Sequence, residues 1–170
     1  MESLCDWSRK SNLQIERNID VWIFIFVIFV FFNLIAFFSP KKLNKIEIYA
    51  TSIFAFVYGL LTDIILNLHY HLYGYFQEGF DWLALLGILL YFPSISFLFL
   101  NFYPSTKKLG TKVLYILLWT AFSVFFEWVS LQTAFFYYVS WKLWYSALLY
   151  PFIFLTLIIH WKFIQRISHK

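Results

Sequence analysis

Five apolar runs of about 20 residues fill most of this chain, at about 20–38, 48–68, 82–102, 112–130 and 143–161. A helix needs roughly 20 mostly apolar residues to cross about 30 Å of hydrocarbon. In lipid every backbone N–H and C=O must find a partner inside the protein, which a helix achieves within a single segment. The expected fold is therefore all-α, a polytopic membrane protein built as a bundle of about five transmembrane helices. Composition agrees: 62% hydrophobic, 25% aromatic and 13% charged residues, with a mean hydropathy of +0.71, lie far outside the range of soluble domains. At 170 residues there is room for one bundle and short connections. The expected organisation is an extracytoplasmic N-terminal tail over 1–18, a single five-helix membrane domain over 19–163 and a short basic cytoplasmic tail over 164–170.

The first run is too long for the core of a signal peptide, and Ser39-Pro40-Lys41-Lys42 follows it where a small-x-small cleavage site would stand. It is expected to remain as the first helix. Cys5 has no second cysteine to pair with and reads as an incidental thiol. Alternating the runs across a membrane puts Lys41, Lys42, Lys45, Lys107, Lys108, Lys112, Lys162, Arg166 and Lys170 on one side. Arg9, Lys10, Arg17 and Lys142 fall on the other. Basic residues favour the cytoplasmic face, so the N-terminus is expected outside and the C-terminus in the cytoplasm. Trp22, Trp82, Trp128, Trp141 and Trp144 then fall near the outer boundary, and Tyr49, Tyr103 and Trp161 near the inner one, the level that amphipathic rings prefer. The net charge of +4 is accounted for by anionic lipid at a cytoplasmic face. The bilayer is thus the expected partner, and no nucleic acid is required.

Two runs carry a carboxylate, Asp63 and Glu127, and no Lys or Arg lies in the interior of any run. Around Asp63 the residues Ser52, Ala55, Gly59, Asn67 and Tyr70 recur at spacings of three and four, which places them on one helical stripe. The fourth run repeats the pattern with Thr120, Ser123, Glu127 and Ser130, and the third with Gly87, Tyr91, Ser94 and Asn101. Small and polar stripes turn towards protein, because a polar group without a partner is costly in lipid and small residues let backbones approach. The second, third and fourth helices are therefore expected in mutual contact. Counting about 1.5 Å per residue, both acids lie on the order of 22 Å from the cytoplasmic ends of their helices, so they can meet. The candidate intramembrane polar site is Asp63, Glu127, Asn67, Tyr91 and Ser123. It reads either as a proton or cation site or as hydrogen bonds that fix helix register. Pro93 and Pro151 are expected to kink their helices, with Ser94, Ser96 or Tyr145 as donors to the freed carbonyls.

Other chemistry finds little support. His69 and His71, two apart near Glu78 and Asp81, diverge on a helix and do not make a metal centre. No Ser-His-Asp set, phosphate loop or Gly-interrupted half-helix pair is present. The expectation is no catalytic residue, no metal, no cofactor and no enzyme.

The tract LFLNFYP at 98–104 with Lys107-Lys108, then FFEW at 125–128, the aromatic stretch Trp141 to Tyr150 and HWK at 160–162 resemble a family of small, functionally uncharacterised five-helix membrane proteins of spore-forming Bacillota. The likeness covers about residues 20–165. It implies a bacterial cell membrane and marks Asn101, Tyr103, Pro104 and Glu127 as family-pattern positions, without implying an activity. Two functions follow as expectations. The first is a structural or interaction component of a membrane assembly, joined to itself as a homo-oligomer or to another membrane protein. The second is a small proton- or cation-handling protein that uses Asp63 and Glu127.

Overall fold

The computed structural model describes residue 21 and residues 23–75, 82–133 and 135–168, with the side chains of Leu83 and Ala84 excepted. The tail 1–18, the two acids Glu78 and Asp81 and the final residues 169–170 lie outside the described residues. Among the described residues five α-helices run in order: α1 (Ile23–Phe38), α2 (Lys45–Asp63), α3 (Trp82–Asn101), α4 (Leu109–Leu131) and α5 (Leu143–Ser168). A π-helical turn, Ile64–His69, extends α2. Two short strands, β1 (Tyr73–Tyr75) and β2 (Phe136–Tyr138), follow α2 and α4.

The fold class is all-α, as expected, and three helices are long and apolar enough to cross a membrane: Lys45–His69, Leu109–Leu131 and Leu143–Ser168. The apolar helices Ile23–Phe38 and Leu85–Asn101 are shorter over the described residues. Large apolar side chains such as Phe31, Phe38, Leu118, Phe125, Phe152 and Ile159 stand outward and exposed. Such a surface suits hydrocarbon and not water.

Helix ends differ from the apolar runs for local reasons. The helix α2 starts three residues early because Asn44 caps it. The Asn44 side-chain oxygen accepts from the Glu47 N–H at 2.8 Å, and the Asn44 N–H donates back to Glu47 Oε2 at 3.3 Å. This reciprocal capping box satisfies donors that would otherwise be free. The helix α5 continues past Trp161 to Ser168, since Lys162, Gln165 and Arg166 are good helix formers and nothing stops it.

Packing corrects one expectation. α2 packs closely on α3 and on α5, and α4 packs on α5, so α5 takes the place beside α2 that was expected of α4. α4 reaches α3 through rings instead: Tyr91 stacks on Phe126 at 5.3 Å and Phe99 meets Trp119 edge-on at 5.7 Å. The stripe on α4 is buried as expected, at Thr120, Ser123, Glu127 and Ser130. A buried stripe tells which face turns inward and not which neighbour meets it. On α2 the buried line is Glu47, Thr51, Ala55, Gly59 and Asp63. Ser52 is only half-buried and Tyr70 is exposed, so the stripe runs one residue away from the expected start and ends at Asp63.

The α2–α3 contact is close because of Gly59, where a Cβ would stand 2.5 Å from the Phe92 ring. In α3, Pro93 removes an N–H, and Ser94 Oγ donates to the carbonyls of Leu90 and Tyr91 at 2.7 and 3.0 Å. Asn33 Nδ2 of α1 adds a 3.0 Å bond to the same Leu90 carbonyl and so ties α1 to α3.

Two ends of the bundle are thereby defined. At the basic end, Asn101 clamps the α1–α2 turn by donating to Pro40 O at 2.9 Å and accepting from the Lys42 N–H at 2.8 Å. Tyr103 meets both Tyr115 and Trp161 there. At the opposite end β1 and β2 pair antiparallel, Tyr73 with Tyr138, Gly74 with Tyr137 and Tyr75 with Phe136. A left-handed backbone at His71 (φ 50°) starts this ribbon, and the Leu72 carbonyl takes the N–H groups of Val139, Ser140 and Trp141. Gly74 has no side chain to oppose Tyr137, whose phenol lies over it.

Candidate functional site

A cavity of about 190 Å³ runs inside the bundle below the ribbon. α2 sets Asp63 on its wall as the last residue of the buried line Ala55, Gly59, Asp63. α4 sets Glu127 there by the same spacing, one turn beyond Ser123 and one before Ser130. The two acids are 7% and 8% exposed.

The ribbon supplies donors to both. Alternate residues of a strand share a face, so Tyr73 and Tyr75 both turn to Asp63 and donate to Oδ1 at 2.6 and 3.1 Å. Tyr138, directly across from Tyr73, donates to Glu127 Oε1 at 2.6 Å. α5 completes the set: Ser146 Oγ donates to the same oxygen at 2.7 Å and Tyr150 to Oε2 at 2.8 Å. Trp141 Nε1 in turn donates to Ser146 Oγ at 2.7 Å. Burial pushes the Tyr73 and Tyr75 phenols well above the ordinary range, and the Asp63 charge adds to it. Burial does the same at Tyr138, followed by its hydrogen bond to Glu127. All three remain protonated and remain donors. Tyr73 and Tyr138 face each other across the ribbon, so the two acids hang from neighbouring strands.

Hydroxyl donors favour the ionised form of a buried carboxylate, whereas the surrounding apolar wall disfavours it. No Lys or Arg comes within ion-pair distance of either acid among the described residues. Two acceptors stay open on the cavity wall: Asp63 Oδ2 and Ser96 Oγ are buried without a hydrogen-bond partner.

Of the five positions in the candidate polar site, Asp63, Glu127, Tyr91 and Ser123 line this cavity. Asn67 does not. It stands on the π turn beyond the cavity's edge at Leu66, half-buried, with its carbonyl taking the His71 N–H at 3.0 Å. The family-pattern positions divide between the two ends: Glu127 lines the cavity, while Asn101, Tyr103 and Pro104 stand at the basic end. The Pro104 carbonyl closes the following turn by accepting from Lys107 N–H at 3.2 Å.

Sequence reasoning missed the donors Tyr73, Tyr75, Tyr138, Ser146 and Tyr150. Tyr73, Tyr75 and Tyr138 lie between the apolar runs, where three-residue strands leave little periodic signal and the alternating YGY at 73–75 was the one trace, while Ser146 and Tyr150 lie inside the fifth run, for which no polar stripe was drawn. It also missed Glu47, a third buried acid at 3% exposure, which accepts from Trp161 Nε1 at 3.3 Å. The Asn44-x-x-Glu47 spacing was its signal. Among the described residues no three His, Cys, Asp or Glu side chains gather as a metal centre.

Fold and site together define a helical membrane protein with a largely apolar cavity that holds two acids at the ribbon end of the bundle. Comparison with known protein families, curated proteins and solved structures finds no match to this chain.

Proposed function

We propose that this chain is a small proton- or cation-handling protein of the bacterial cell membrane, working at Asp63 and Glu127. One observation carries the reading: two acids, each more than nine-tenths buried, share one cavity without a basic partner among the described residues. An intramembrane carboxylate of this kind is costly to keep unless it serves a site. In this reading α1 and α3 cross the membrane with the other three helices. The N-terminus lies outside and the C-terminus in the cytoplasm, as the cation distribution favours, and the resemblance to five-helix proteins of spore-forming Bacillota supports the bacterial cell membrane. Purified protein in liposomes is expected to carry a proton or monovalent-cation flux that Asp63→Asn or Glu127→Gln abolishes. Flux no higher than in empty liposomes would remove the reading.

A second reading, a structural or interaction component that pairs with itself or with another membrane protein, draws on the five hydroxyl bonds that pin both acids to the ribbon and to α5. In that case the two substitutions lower stability additively and no flux appears.

A further inference from the structure

The cavity carries its two charged groups at one end, with the unpartnered Ser96 Oγ towards the other. Lys45 and Asn101 stand at the basic end of α2 and α3, so Asp63 lies 18 residues and Ser96 five residues from that level. At about 1.5 Å per residue the two are separated by about 20 Å along the bundle. A volume of about 190 Å³ spread over that length is a narrow shaft. Its head holds the two acids with their tyrosines, and its stem is walled by Phe92, Ile95, Ile153, Phe154 and Leu157.

Resting on the cation-handling reading, we infer that the shaft binds an amphipathic primary or secondary ammonium, with the charged nitrogen at Asp63 and Glu127 and an apolar tail along the stem. Three features select this class. Asp63 Oδ2 is a buried acceptor without a donor, which an N–H of an ammonium satisfies and a quaternary nitrogen does not. Tyr73, Tyr91 and Trp141 line the head, and aromatic side chains of this kind attract a cation. The stem is walled mainly by apolar side chains, which suit an alkyl tail and give a metal ion nothing to bind. A bare proton would leave the stem without a purpose.

The test uses full-length protein in lipid nanodiscs, titrated calorimetrically with octylammonium against matched empty discs. Saturable binding is expected, at least about tenfold tighter than for octanol or octyltrimethylammonium, since a charge-assisted bond to a buried carboxylate is lost in both. Binding should strengthen by about fourfold for each methylene from butyl- to octylammonium, after subtraction of partition into empty discs. Asp63→Asn should weaken octylammonium by about tenfold or more. Ala55→Leu, which fills the stem, should flatten the chain-length series while leaving butylammonium unchanged. Equal binding of octanol and octylammonium would overturn the inference and make the shaft a slot for lipid tails. Proton or cation flux in liposomes without octylammonium binding would also overturn it, with the cation-handling reading intact. Absence of both would remove the two together. Octylammonium binding without flux supports the inference and describes a site that holds its ligand.

Discussion

Single hydroxyls decide how the two acids are held. Tyr73 makes the shortest bond to Asp63, and its phenol sits well above the ordinary value because of burial and then the Asp63 charge. Replacing it with Phe removes a donor from a buried carboxylate and is expected to cost about 1–2 kcal/mol at neutral pH, within the span measured for polar contacts in membrane bundles and for bonds to charged groups. The pH dependence follows from the same shift. A phenol whose folded value is raised stays protonated in the fold while the unfolded chain titrates near 10.0. Its contribution is therefore complete below pH 10 and is lost as pH rises above it. Tyr73→Phe should lose its share of that alkaline slope, up to about 1.4 kcal/mol per pH unit. Unfolding in mixed micelles at pH 7 and at pH 10–11 reads both effects, and parallel curves for parent and variant would contradict the assignment. The carboxylates themselves were legible in the sequence, since an Asp or Glu inside an apolar run is conspicuous. Their donors were not, because a tyrosine in a connection looks like any interfacial aromatic until the strand that aims it is known.

Elements were legible to different degrees for physical reasons. Long apolar runs mark α4, the start of α2 and the start of α5 within a few residues, since about 20 apolar residues have few other solutions in lipid. The ribbon was hidden because it is held by pairing between residues more than 60 apart, which no local pattern announces. The place of α4 beside α2 was misassigned because a polar stripe turns as well to α5 as to α2. Where small residues were read as a close contact, the geometry is specific: Gly59 lies under Phe92. Gly59→Ala pushes a methyl into that ring and is expected to destabilise by about 1–3 kcal/mol. Gly59→Ala combined with Phe92→Leu should recover part of the loss, because the flat ring is what the methyl meets. Thermal or SDS-induced unfolding of the two variants measures this, and a double variant no better than the sum of its parts would mean that α2 and α3 do not approach at this point.

At the scale of the whole molecule the charge distribution is one-sided. Lys41, Lys42, Lys45, Lys107, Lys108, Lys112, Lys162 and Arg166 lie at the end where Asn101 clamps the α1–α2 turn and Tyr103 meets Trp161. Among the described residues only Lys142 stands at the ribbon end. Sequence alternation alone sorts the same cations into these two sets. What it could not reveal is that the sparsely charged end is closed by paired strands and carries both acids beneath them. Basic residues near a membrane surface gain about 1 kcal/mol each from anionic lipid at the cytoplasmic leaflet, so nine against four over the whole sequence should favour the Asn101 end in the cytoplasm. The prediction is made in a Cys5→Ser background, so that only introduced thiols react. Ser140→Cys, exposed beside β2, should be labelled in intact cells by a maleimide that cannot cross membranes. Ser105→Cys, exposed between α3 and α4, should react only after permeabilisation. Ser39→Cys, between α1 and α2, should behave as Ser105→Cys does if the whole bundle alternates through the bilayer. Labelling of Ser105→Cys alone in intact cells would invert the orientation. Ser39→Cys and Ser105→Cys on opposite sides would reduce the number of crossings below five, because α2 and α3 could not then both traverse the membrane between them.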